Sequence, residues 1–183
     1  MKGFLFVLLG AAVAAVAGYG GYRYALPPSP ESAKIAPPAA VGARCPLHQA
    51  KLHDASGHAP DASVWRGQAV LINFWASWCG PCRREMPALQ AVAEGYAAQG
   101  LRVVGVAVDD PAAAQRLAHK LGVAYLLLYG RSAADELLQA CSAGRQGLPL
   151  SVVLDRRGRV CARHAGALDE AGFARLLRPC LEH

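Results

Sequence analysis

Charged residues are scarce in this sequence, in which Asp, Glu, Lys and Arg make up 17% of the chain against 54% hydrophobic residues. This composition excludes an intrinsically disordered protein and leaves enough apolar side chains for a sizeable core. Internal repeats are absent. Of the 183 residues, about 140 remain once an apolar start and a Pro-rich stretch are set aside, which predicts one folded domain.

The chain carries a net charge of +6 but lacks the features of a nucleic-acid-binding protein. Its densest basic cluster lies beside a predicted turn at Gly158 and consists of Arg156, Arg157, Arg159 and Arg163. No aromatic residues are interleaved with this cluster and no recognition motif accompanies it, so a solvated hairpin is the favoured interpretation. We expect the positive surface to face anionic lipid or an acidic partner.

Residues 1–25 form a predicted membrane anchor. Residues 3–22 are an uncharged run of 20, close to the length that crosses a bilayer as a helix, and Lys2 keeps the N-terminus inside. A cleaved signal peptide is the alternative, because residues 15–17 have the small-x-small pattern that a signal peptidase accepts. The aromatic and basic residues after the run favour the anchor: Tyr19, Tyr22, Arg23 and Tyr24. Both interpretations export the rest of the chain.

Residues 26–44 are rich in Pro and Ala and are predicted to form an extended periplasmic linker that packs no core. The folded domain is assigned to residues 45–183. Six cysteines are too many for a typical reduced cytosolic enzyme of this length, which agrees with export. We therefore expect a single span in a bacterial inner membrane, with the domain in the periplasm.

The apolar pattern of the domain predicts an α/β fold. Its clearest strand is Ala69–Trp75, a continuous apolar run typical of a strand buried on both faces. A turn cluster at residues 54–57 predicts an N-terminal β-hairpin within residues 47–65. The other predicted elements are helix 83–99, strand 101–108, helix 110–121, strand 124–128, helix 133–142, strands 150–154 and 160–164, and helix 169–177.

The residues that carry chemistry follow the clearest strand directly, in the segment Trp78-Cys79-Gly80-Pro81-Cys82. Two cysteines separated by two residues at a helix start place the first thiol over unpaired backbone N–H groups, which stabilise a thiolate. Cys79 is therefore the expected nucleophile, and Cys82 is expected to resolve the mixed disulfide. Gly80 and Pro81 shape the backbone where a substrate approaches, and Trp78 is a flat platform beside it.

The alternative for such a cysteine pair is half of a tetrahedral zinc site. That site requires a second pair of Cys or His ligands at workable spacing, and the sequence has none. We therefore expect no metal and no cofactor other than a redox-active Cys79–Cys82 disulfide.

Residues 73–87, from Asn73-Phe74-Trp75 to Glu85-Met86-Pro87, resemble the active-site segment of the TlpA/ResA/CcmG family of membrane-tethered, thioredoxin-like proteins. The resemblance covers about residues 45–180. It implies a thioredoxin-like fold, in which helices flank a central mixed β-sheet, with a central helix-strand insertion at residues 111–128.

The resemblance also implies roles for individual residues. A cis-proline sits opposite the cysteines in this family, and Pro149 takes that position, which exposes the edge of Leu148 for pairing with an extended substrate. Glu85 matches the acidic residue that ResA-like reductases place near their thiols, where it relays the proton of Cys82. Asn73 stands where cytosolic thioredoxin has a buried aspartate, so general-base duty through that position is lost.

The four other cysteines, Cys45, Cys141, Cys161 and Cys180, permit three complete pairings. TlpA-like proteins can tie the N-terminal segment to the final hairpin, and this likeness implies a structural disulfide between Cys45 and Cys161. Cys141 and Cys180 are then free or paired.

The leading functional hypothesis is a periplasmic reductase of protein disulfides. The resemblance implies apocytochrome c or copper-site proteins as clients, and a membrane thiol reductase of the DsbD/CcdA type as the electron donor. One alternative is a disulfide-forming oxidant like DsbA, because the same fold runs in either direction. Another is a metallochaperone that holds copper through Cys79, Cys82 and a histidine, although the spacing of His48, His53 and His58 is typical of exposed loop histidines.

Overall fold

The computed structural model describes residues 45–181 as an α/β domain with a five-stranded sheet. The strands and helices are β1 Ala69–Trp75, α1 Gly80–Gly95, β2 Leu101–Ala107, α2 Pro111–Lys120, β3 Leu126–Tyr129, α3 Arg131–Ser142, β4 Leu150–Leu154, β5 Val160–Ala165 and α4 Glu170–Leu181. Short 3-10 helices lie at Leu47–Gln49, Ala62–Val64 and Ala97–Gln99. The predicted thioredoxin-like fold, with a mixed sheet and an inserted helix and strand (α2 and β3), is confirmed.

The order of strands across the sheet is β3-β2-β1-β4-β5. Strands β1, β2 and β3 run parallel, whereas β4 runs antiparallel to both β1 and β5. All seven residues of β1 are buried, because this strand is central and both of its faces are covered. Phe74 pairs with Leu150, so the end of β1 and the start of β4 meet at the same edge of the sheet.

Side-chain alternation along β1 builds a separate core on each face of the sheet. Val70, Ile72 and Phe74 pack on the face that carries Leu137 of α3. Ala69 and Leu71 pack on the opposite face, which is covered by α1 and α4. Asn73 has the same parity as Leu71, so it lies beneath α1 rather than beneath α3.

The predicted N-terminal β-hairpin is wrong, although its turn is present. The backbone N–H of Asp54 donates to the carbonyl of His58, and the Asp54 side chain accepts the N–H groups of Ser56 and His58, which closes the turn. The residues before the turn pair with β3 instead of with the residues after it, through two backbone hydrogen bonds between His53 and Tyr129. Edge strand β3 offered unpaired backbone groups, and the N-terminal segment covers them.

The β4–β5 hairpin forms as predicted and carries most of the arginine cluster on its exposed turn. Asp155 accepts hydrogen bonds from the backbone N–H groups of Arg157 and Arg159 and from the Arg159 side chain. Arg163 differs from the others because it is half-buried on β5, where its Nε donates to the backbone carbonyl of Cys141 at 2.7 Å.

The structure contains two disulfides outside the predicted active site, Cys45–Cys141 and Cys161–Cys180. The expected Cys45–Cys161 pairing is therefore wrong. Cys45 packs in the core that includes α3, whereas Cys161 packs against the core beneath α1 and α4. The sheet separates these two cysteines, and a disulfide cannot reach through it.

Between residues 45 and 181, no helix is both long and apolar enough to cross a membrane. The predicted anchor at residues 1–25 and the linker at residues 26–44 lie outside the described residues.

Candidate active site

The two cysteines of the motif sit where β1 ends and α1 begins. Cys79 is the N-cap of α1, and its backbone has the extended conformation typical of that position. Its Sγ accepts the backbone N–H of Cys82 at 3.2 Å. Pro81 lies in the first turn of the helix, where a missing N–H costs no hydrogen bond. The sequence thus places Cys79 Sγ over the donor end of α1, as predicted.

Cys79 and Cys82 are joined by a disulfide, with their Cα atoms 5.3 Å apart. Cys82 is fully buried and Cys79 is 5% exposed, whereas the neighbouring Trp78 is 69% exposed. The pair therefore lies at the edge of the core with an open aromatic surface beside it. Partners can reach Cys79 first, because Cys82 lies one helical turn inside.

A carboxyl group is buried one turn beyond Cys82. Glu85 is 2% exposed, and it accepts hydrogen bonds from Asn73 Nδ2 at 2.8 Å and from the backbone N–H of Leu168 at 3.0 Å. Burial raises the pKa of Glu85 to about 7, although both hydrogen bonds oppose the rise. A carboxyl with this pKa exchanges a proton near neutral pH.

The peptide bond between Leu148 and Pro149 is cis, as predicted. Pro149 is buried just before β4, and its carbonyl accepts the N–H of Gly166. Leu148 is half-buried and packs against the cluster that contains both active-site cysteines. The structure thus brings the Leu148–Pro149 loop and the cysteine motif to the same region, as the resemblance implied.

Sequence reasoning missed two polar groups of this site. The Asp109 carboxylate accepts the N–H of Ser77 at 2.7 Å and so holds the loop that leads to Cys79. Ser151, buried on β4, accepts a hydrogen bond from Asn73 Nδ2 at 3.2 Å. The available signal for Ser151 was a single hydroxyl in an otherwise apolar strand, two residues after Pro149.

The histidines of the N-terminal segment do not gather into a cluster. His48 and His58 are exposed, and His53 packs beside the ring of Tyr129. In the part of the chain that the structure describes, no three His, Cys, Asp or Glu side chains are grouped as metal ligands.

Comparisons with known proteins agree with this geometry. Residues 40–177 match the redoxin family. The chain is 32% identical to the thiol-disulfide oxidoreductase ResA of Geobacillus kaustophilus over 75% of its length and 76% of the relative. It is 33% identical to the thiol:disulfide interchange protein HelX of Rhodobacter capsulatus over 79% of both chains.

A crystal structure of a thiol:disulfide interchange protein of the thioredoxin family from Chlorobium tepidum superimposes with a TM-score of 0.60 and 28% identity. The match covers 70% of this chain and 90% of that one. Together with a Cys-x-x-Cys disulfide at a helix N-terminus, these likenesses show that the chain belongs to the redoxin family and is a thiol-disulfide oxidoreductase of the ResA/DsbE type.

Proposed function

We propose that this oxidoreductase reduces disulfides of exported proteins, with Cys79 as the attacking thiolate and Cys82 as the resolving thiol. The observation that carries the proposal is the position of Cys79 at the N-cap of α1, beside an exposed Trp78 and one turn away from a fully buried Cys82. In the reduced enzyme, the donor end of the helix favours the thiolate of Cys79 over its thiol.

The proposed reaction transfers two electrons to the partner in two exchanges. The Cys79 thiolate attacks one sulfur of the partner disulfide, and the other partner sulfur leaves as a thiolate. Cys82 then loses its proton and attacks Cys79 Sγ, which breaks the bond to the partner. The second partner sulfur also leaves as a thiolate, and the two partner thiolates take up protons from water to give the dithiol. The enzyme then holds the Cys79–Cys82 disulfide.

Glu85 is the proposed acceptor of the Cys82 proton. Its pKa of about 7 matches proton exchange at neutral pH, and it lies one helical turn from Cys82 on α1. Asn73 on β1 cannot act as a general base, unlike the buried aspartate that cytosolic thioredoxin has at this position. The Glu85 carboxyl takes over that role in the proposed reaction. The Leu148–Pro149 loop is the proposed edge on which an extended substrate segment pairs.

The proposal also includes the cellular location of the protein, the direction of electron transfer and the client proteins. The apolar run at residues 3–22 supports a single inner-membrane span with the domain in the periplasm. The Gly80–Pro81 dipeptide resembles that of reducing members of the family, which supports this direction. By the same resemblance, the clients are apocytochrome c or copper-site proteins, and electrons come from a membrane reductase of the DsbD/CcdA type.

Two measurements on the full chain test this proposal. The Cys79→Ser variant is expected to lose insulin-disulfide reduction, and retained activity would remove Cys79 from the mechanism. The reduction potential of the Cys79–Cys82 pair is expected to lie nearer the thioredoxin value, about −270 mV, than the DsbA value, about −120 mV. A value near that of DsbA would make the protein an oxidant instead.

A further inference from the structure

Beneath the active-site helix, three neighbouring strands place Gly105, Asn73 and Ser151 in one row. Asn73 pairs with Gly105 across the parallel β1–β2 ladder and with Ser151 across the antiparallel β1–β4 ladder. Residues directly opposite each other in a sheet point to the same face. Glu85, from α1, closes the row from above through its hydrogen bond to Asn73.

The Asn73 amide uses both of its hydrogens in this row. Nδ2 donates to Glu85 Oε1 at 2.8 Å and to Ser151 Oγ at 3.2 Å, and all three side chains are 2% exposed or less. Among residues 45–181, no group donates to Asn73 Oδ1. The orientation of the amide therefore depends on the two acceptors of its nitrogen.

On the β2 side of the row, Gly105 has no side chain and therefore supplies no partner to the amide. A Cβ atom added there would lie 2.5 Å from Cδ2 of Leu127 and 3.2 Å from Nε1 of Trp75. The side chains of Leu127, Trp75 and Tyr125 fill that space, and neither the indole N–H of Trp75 nor the hydroxyl of Tyr125 is hydrogen-bonded to the amide. Ser151 is therefore the sheet neighbour that holds the amide.

We propose that Ser151 is a positioning residue for Glu85: its hydroxyl accepts one amide hydrogen of Asn73, so that the other is directed at the carboxyl and favours its ionised form. The inference deepens the proposed role of Glu85 as proton acceptor. Its effect on Glu85 is nevertheless measurable whether or not the carboxyl takes part in the reaction.

The other titratable groups around Glu85 are left unchanged by a substitution at position 151. Arg84, Asp169 and Glu170 line a surface cleft that Glu85 borders, and the active-site cysteines precede it on α1. On the β3 side of the sheet, burial raises the pKa of the Tyr125 phenol, and the charge of Glu85 adds to this rise. A difference between variants at position 151 therefore reports on the Asn73 amide.

The test compares Ser151→Thr with Ser151→Val, which have nearly the same shape but differ in the hydroxyl. The full oxidised chain, in detergent and labelled with carboxyl-13C glutamate, is titrated by NMR. We expect Ser151→Val to raise the titration midpoint of Glu85 by about 0.5–1 pH unit, the worth of one hydrogen bond. Ser151→Thr should keep the wild-type midpoint.

A control variant separates positioning from general damage to the core. Ser142→Ala removes a buried hydroxyl that donates to the carbonyl of Gln139 in α3, and it should leave the midpoint unchanged. Equal midpoints in the Thr and Val variants would overturn the inference, whether or not they differ from the wild-type midpoint. A midpoint that moves while insulin reduction keeps its pH profile would support the positioning role and instead count against Glu85 as the proton acceptor.

Discussion

Asn73 Nδ2 lies 2.8 Å from Oε1 of Glu85, so the buried carboxyl of this site is supplied by the helix that carries the cysteines and is anchored on the central strand. An asparagine on β1 cannot exchange a proton, but it can hold a group that does. The site thus keeps a buried carboxyl, that of Glu85, even though strand β1 carries none.

The first prediction concerns the stability of the oxidised protein against pH. Burial raises the pKa of Glu85 to about 7 from its ordinary value of 4.5, so the folded state holds a proton that the unfolded state releases. The free energy of unfolding should therefore fall as pH rises from about 4.5 to about 7, by about 3 kcal/mol at most. Above this window the Glu85 contribution is constant.

Urea unfolding of Glu85→Gln between pH 4 and pH 8 checks the slope. The variant should lose this part of the pH dependence, because its amide does not titrate. Glu94→Gln is the control, since Glu94 is exposed on the same helix, and it should keep the wild-type slope. Parallel profiles for Glu85→Gln and the wild type would contradict the prediction.

Much of the fold was predictable because the local sequence pattern favours the same secondary structure that the packed protein adopts. The apolar run at Ala69–Trp75 is observed as β1 with the predicted bounds. The helix predicted at residues 110–121 is observed as α2, which Asp110 caps by accepting the N–H of Ala113 and which begins at Pro111. The cysteine motif is a short local signature, whereas the cis Leu148–Pro149 bond was implied by the resemblance to the TlpA/ResA/CcmG family.

The wrong predictions concern features that depend on contacts between segments far apart in the sequence. The N-terminal residues pair with β3 because that edge is open, which no pattern within residues 47–65 reveals. Disulfide connectivity depends on which face of the sheet each cysteine occupies, and that face is known only once the helices are packed. Ser151 was overlooked for the same reason, since its importance comes from lying opposite Asn73.

The second prediction concerns the two structural disulfides. Cys45–Cys141 spans 96 positions, whereas Cys161–Cys180 spans 19. A longer closed loop restricts the unfolded chain more, so paired Cys→Ser substitutions should cost about 5 kcal/mol and about 3 kcal/mol respectively. Chemical denaturation of the two double variants measures both costs. Peptide mapping that recovers a Cys45–Cys161 crosslink would contradict the connectivity itself.

The third prediction tests the crowding around Gly105. An added Cβ would lie 2.5 Å from Leu127 Cδ2 and 3.1 Å from Cε2 of Tyr125, so Gly105→Ala should lose about 1–3 kcal/mol of stability. Gly95→Ala is the matched control, because an added Cβ at that helical position meets nothing within 4 Å. It should be neutral or slightly stabilising. Equal stability of the two variants would show that the row beneath α1 is not tightly packed.

The last prediction separates substrate contact from thiol chemistry at the active site. Trp78 is 69% exposed beside Cys79, so Trp78→Ala should change the free energy of unfolding by less than about 0.5 kcal/mol. Trp is enriched among the interface residues whose truncation costs more than about 1 kcal/mol, and a loss of about 1–2 kcal/mol predicts a KM for insulin raised roughly 5- to 30-fold.

A small aromatic disulfide should behave differently, because it reaches Cys79 without needing the platform. Its reduction by Trp78→Ala should proceed at nearly the wild-type rate. Leu121→Ala removes another exposed apolar side chain, one that lies at the end of α2, and it should affect neither substrate. Equal losses with both substrates in Trp78→Ala would mean that Trp78 supports the reactivity of the cysteines rather than the binding of a protein partner.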